Sequence, residues 1–104
     1  MAYLVKITPR AERDLDQIYE QINAEHSFQA VKWYESLSQR ILSLEHYPNR
    51  GLLVRIQGKE RCLIFGRKPA VYRIIYRVLE RQKRVDILHI RHGTRREPKR
   101  FDLT

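Results

Sequence analysis

Four cationic or titratable side chains crowd around one glycine in the segment Ile90-Arg91-His92-Gly93-Thr94-Arg95-Arg96. Histidine changes charge near neutral pH, with an unperturbed pKa of about 6.5. A histidine among arginines can act as a general acid next to groups that hold a phosphate. The plainer role for His92 is a hydrogen-bonded strand end. Further arginines, Arg61, Arg73 and Arg77, lie in the preceding β-prone segments. Arginines outnumber lysines 15 to 6 across the chain. An arginine fork grips phosphate or carboxylate at two points, which the point charge of lysine cannot do.

Other chemistry finds little support. His26, His46, His89 and His92 have no cysteines near them at zinc-finger spacing. The four glycines are scattered, so there is no phosphate-cradling loop. The single cysteine, Cys62, sits among apolar neighbours and reads as a small core residue rather than a nucleophile. It allows no internal disulfide, which fits a reducing cytoplasm. The expectation is a metal-free, cofactor-free, soluble single domain over residues 1–104. The start of the chain lacks the basic and apolar regions of a signal peptide, and no run nears the ~20 apolar residues of a membrane span.

Charge is unevenly divided. Residues 1–49 hold five Lys/Arg and seven Asp/Glu, whereas residues 50–104 hold sixteen and five. The whole chain carries a net charge of +9. A one-sided field of this kind attracts a polyanion or an acidic protein.

Several elements must position these charges. Tyr3 to Ile7 is a short β-prone run. Thr8-Pro9 caps and opens a helix over roughly Arg10 to Ala24, with Ala11, Leu15, Ile18 and Ile22 on one face. Ser27 caps a second helix, where Val31, Tyr34, Leu37, Ile41 and Leu44 form the apolar stripe and Phe28 and Trp33 flank it. Tyr47-Pro48-Asn49-Arg50-Gly51 stops that helix. About three residues separate the helices, which predicts a hairpin. The period then changes. Arg61–Phe65, Val71–Val78 and Val85–His92 read as strands of an antiparallel meander, with a turn over Gly66–Pro69. Leu52–Ile56 fits either a further strand or an ordered loop.

The fold class is therefore α+β, ordered β-α-α-β-β-β, with a helical hairpin on one face of a small, mainly antiparallel sheet. Alternation puts Tyr72, Ile74, Tyr76 and Val78 under the helices and Val71, Arg73, Ile75 and Arg77 on an open face. That face suits docking of RNA, DNA or an acidic peptide. The plainer alternative is that Arg73 and Arg77 are solvated edge charges or pair with Asp86 and Glu80. Alternation also separates Arg91 from His92, unless the strand bulges at Gly93.

The order of motifs resembles the RelE/ParE superfamily of type II toxin–antitoxin toxins. It is carried by Thr8-Pro9-Arg10-Ala11-Glu12-Arg13-Asp14-Leu15, Arg61-Cys62-Leu63-Ile64-Phe65-Gly66, Tyr72-Arg73-Ile74-Ile75-Tyr76-Arg77-Val78 and the Ile90–Arg96 segment. The resemblance implies a toxin held inactive by a cognate antitoxin, acting on DNA gyrase (ParE branch) or as a metal-independent endonuclease on ribosome-bound messenger RNA (RelE branch). Under the RelE branch, Arg73 and Arg95 match the phosphate-holding arginines and His92 stands as acid. Cys62 and Ile64 occupy the positions nearest an expected lysine pair, and Phe101 falls near the tyrosine used by some members. The Arg-rich ending and the Leu63–Val78 run look more like the ParE branch. Arg61, Arg73, Arg77, Arg91, Arg95 and Arg96 are then target-binding candidates. A non-toxic nucleic-acid-binding module is the third reading.

Overall fold

A computed structural model of the chain describes residues 2–55, 59–67 and 70–93. The elements are β1 (Leu4–Ile7), α1 (Pro9–Gln21), α2 (Phe28–Leu42), β2 (Leu52–Arg55), β3 (Glu60–Arg67), β4 (Ala70–Leu79) and β5 (Arg84–His92). Both helix starts follow the sequence signals. The Thr8 hydroxyl accepts the Ala11 N–H at 3.3 Å, with Pro9 in the first turn. The Ser27 hydroxyl accepts the Ala30 N–H at 3.2 Å. Each such cap satisfies a donor that the helix itself cannot. The first helix ends at Gln21, short of the expected Ala24. Asn23 takes φ 62°, and Ala24–His26 tighten into a 3-10 turn. The connection between the helices is correspondingly longer than expected.

The sheet has five strands in the order β1-β5-β4-β3-β2. β1 runs parallel to β5, and the remaining pairs are antiparallel. The ambiguous segment after Gly51 is thus an edge strand, β2. Both helices cover one sheet face. Ala11, Leu15 and Ile18 of α1 and Leu37 and Ile41 of α2 pack with Leu63, Phe65, Tyr72, Ile74, Tyr76, Val85, Ile87 and Ile90. Trp33 lies 5.4 Å from both Phe65 and Tyr72, ring centre to ring centre. It is packing, as its helical position implied. The fully buried Tyr76 directs its hydroxyl to the Gly51 N–H at 2.9 Å. A Cβ on Gly51 would meet that hydroxyl and the Cys62 carbonyl oxygen at 2.8 Å. Gly51 therefore does more than stop a helix: only a residue without a side chain lets the two backbones come this close.

β5 carries the irregularity that decides where its charges point. Its pairing with β4 slips between Ile75 and Tyr76, so that Ile75 faces His89 while Tyr76 faces Ile87. Leu88 is the extra residue of a β-bulge. Before it, Val85 and Ile87 point to the core. After it, Ile90 does. Without the bulge Ile90 would face outward and Arg91 inward, because a one-residue slip reverses every side chain. α1 holds the bulge. The Thr8 hydroxyl bonds the carbonyl oxygens of Ile87 and Leu88 at 2.7 and 3.2 Å, and the Asp14 carboxylate accepts the Ile90 N–H at 2.9 Å.

Candidate functional site: the exposed face of the sheet

The face away from the helices is crossed by three rows of side chains. At one end Lys6, Asp86, Arg77 and Glu60 stand directly opposite one another on β1, β5, β4 and β3. Charge alternates along this row. Arg77 Nη2 lies 3.2 Å from Glu60 Oε2, and Asp86 takes two bonds from Arg84 at 2.8 and 3.1 Å. Arg77 thus pairs with Glu60, an acid not considered for it from sequence, where Asp86 and Glu80 were. The middle row is His89, Ile75, Cys62 and Leu52. At the far end Arg91, Arg73 and Ile64 stand in line. Two like charges face each other there, and among the described residues the strand register puts no acid in that row.

The expectation of an open Arg73 face needs correction. Arg73 is buried, at 8% relative exposure. The reason is Gly93, diagonal to it across the strands. A Cβ on Gly93 would lie 3.3 Å from Arg73 Cγ and Cζ. The missing side chain leaves the space that the arginine stem fills, while the Gly93 N–H bonds the Val71 carbonyl at 2.7 Å. Arg91, by contrast, is exposed.

The bulge lies at Leu88, not at Gly93, and it leaves Arg91 and His92 on opposite faces. His92 faces the helix side opposite Tyr72, its ring edge-on at 4.9 Å and 86°. Arg61 also falls on the helix side, opposite Tyr76. It donates to the carbonyl oxygens of Gly51 and Asn49 at 2.7 and 3.3 Å and so ties down the loop before β2. Of the residues read from sequence, the exposed face brings together Arg73, Arg77 and Arg91. It separates them from Arg61 and His92. Arg95, Arg96 and Phe101 lie outside the described residues.

His89, weighed in the sequence only as a metal ligand, was not among the site candidates. The bulge places it on the exposed face with Arg91. Burial holds its pKa below the usual 6.5, with the charges of Arg10 and Arg91 adding to the effect and Asp14 and Glu60 opposing it. Its Nδ1 is buried without a hydrogen-bond partner. The apolar doublet Ile87-Leu88, which breaks the alternation of β5, was the available signal. Among the described residues no cluster of His, Cys, Asp and Glu could hold a metal ion, and no helix is long and apolar enough to cross a membrane.

Two helices on one face of a mixed five-stranded sheet are the fold of the RelE/ParE class. A chromosomal ParDE toxin–antitoxin system from P. aeruginosa superimposes with TM-score 0.70 and 26% identity, over 88% of this chain and 96% of that one. The RelBE2 toxin–antitoxin complex from Mycobacterium tuberculosis gives 0.62 and 23%, over 90% and 94%. A mutant of E. coli RelE in the free state gives 0.58 and 17%, over 88% and 84%. No curated individual sequence matches the chain. Residues 5–97 match the model of the ParE toxin of the type II toxin–antitoxin system parDE, and the chain belongs to that family.

Proposed function

We propose that this toxin inhibits growth by binding DNA gyrase, without chemistry of its own, and is neutralised by a cognate antitoxin. One observation carries the choice of mechanism. The candidate acid His92 and the candidate phosphate-holding Arg73 lie on opposite faces of the sheet. A general acid must come within hydrogen-bond reach, directly or through one water, of the atom it protonates while the phosphate is held. Side chains on opposite faces do not converge on one scissile phosphate. The family match and the ParDE likeness support the gyrase branch of the superfamily. The net charge of +9 supports an acidic antitoxin segment that orders as it binds.

The test is induction in cells. Gyrase poisoning predicts filamentation and a DNA-damage response while bulk translation continues. Early loss of translation would instead identify a ribosome-dependent nuclease. Unimpaired growth would favour a binding module. Co-expression of the neighbouring antitoxin gene is expected to restore growth and to yield a co-purifying complex.

A further inference from the structure

The exposed sheet face has apolar character as well as charge. Leu52 on β2 is 76% exposed and Ile64 on β3 is 42% exposed. They share this face as diagonal neighbours, since Leu52 stands opposite Cys62. Two strands further on, in the same row as Ile64, stands Arg91. At about 4.8 Å per strand, roughly 10 Å separates the backbones of Ile64 and Arg91. Arg91 is exposed and has no acidic partner among the described residues. The surface therefore offers two adjacent apolar side chains beside an arginine fork.

Resting on the proposal that this toxin binds gyrase, we propose that Leu52, Ile64 and Arg91 form the contact with the target, and that they grip an acidic, apolar-studded protein segment rather than DNA. Leucine and isoleucine gain by burial against apolar side chains and gain nothing against phosphates. Arg91 then pairs with a carboxylate of the same segment. Single-strand binders stack bases on aromatic rings. Among the described residues this face has no Trp, Tyr or Phe: Phe65, Tyr72 and Tyr76 point to the helices. A second copy of the chain is disfavoured by the repulsion of two +9 molecules.

The experiment compares wild type with Ile64→Asp, Leu52→Asp, Arg91→Glu and Arg91→Lys, using Lys6→Glu at the opposite end of the face as control. Three readings are taken: the concentration that half-inhibits purified gyrase, affinity for a short DNA duplex, and growth arrest on induction. Ile64→Asp and Arg91→Glu are expected to raise the inhibitory concentration at least ~10-fold, with Arg91→Lys between them and wild type. Such a loss corresponds to 1.4 kcal/mol or more of binding. Lys6→Glu inhibits as wild type, and the thermal midpoints stay together. Variants that inhibit like wild type overturn the surface, as does a loss that tracks weakened DNA affinity. A wild type inert toward gyrase overturns the function instead. The growth reading then judges the surface alone, and undiminished arrest by Ile64→Asp and Arg91→Glu would refute it.

Discussion

Two ends of one sheet face carry arginines in similar number and opposite circumstances. Arg77 sits in a row that neutralises itself, with Glu60 at 3.2 Å and Asp86 opposite. Arg73 and Arg91 face each other, with no acid in register with them among the described residues, the first buried against Gly93 and the second exposed. Roughly 13 Å along β4 separates the two ends, at about 3.3 Å per residue, which exceeds the Debye length of about 8 Å at physiological salt. The ends are therefore electrostatically distinct. An arginine's meaning is set by what stands across the strands from it, and a count of arginines along the chain misses that.

The largest expected effect tests the bulge that creates this contrast. Ile90→Ala is expected to cost about 2–5 kcal/mol, because the bulge puts Ile90 at 5% exposure in the core. Leu88→Ala, at the half-buried bulged position itself, is expected to cost less than about 1.5 kcal/mol. Urea midpoints would measure both. The reverse order would mean that β5 is in the other register and that Arg91 does not face outward.

A smaller effect separates the two ends by function. Gly93→Ala brings a methyl group to 3.3 Å from the Arg73 stem, so the arginine must give way by a few tenths of an ångström. Toxicity should fall while stability drops by no more than about 1 kcal/mol. Arg77→Ala should leave toxicity untouched, and its ion pair with Glu60 is worth at most ~1 kcal/mol at this exposure. Equal toxicity of the two variants would erase the functional distinction between the ends.

The smallest effect lies between them, at His89. Its folded pKa is depressed, so below about 6.5 the unfolded chain binds a proton that the folded chain resists. Stability is therefore expected to decline as pH falls from 6.5 toward the folded value. His89→Gln should flatten that part of the profile of thermal midpoint against pH. An unchanged slope would remove His89 as the cause.

Much of this architecture is legible in the sequence. Thr8-Pro9 and Ser27 mark helix starts through caps that act locally, and Ala11, Leu15 and Ile18 mark the core through spacing alone. The segment Leu52–Arg55 reads equally as strand or loop, since the run Leu52-Leu53-Val54 shows no apolar–polar alternation in sequence. The site was harder. The face of Arg91 depends on a bulge held by Thr8 and Asp14, nearly eighty residues earlier in the chain. The burial of Arg73 depends on a missing side chain across the strand pair. The role of Arg61 depends on loop carbonyls that no local pattern brings near. Pairing across the fold decides all three.

One paired assay separates action on gyrase from RNA chemistry. Purified wild type and His92→Gln are added to gyrase supercoiling reactions and, in parallel, to ribosomes carrying message. Both proteins are expected to inhibit supercoiling alike, and neither to cut message. Strong message cleavage by wild type, lost by ~10²–10⁴-fold in His92→Gln with supercoiling untouched by either, would contradict action on gyrase and make His92 a general acid.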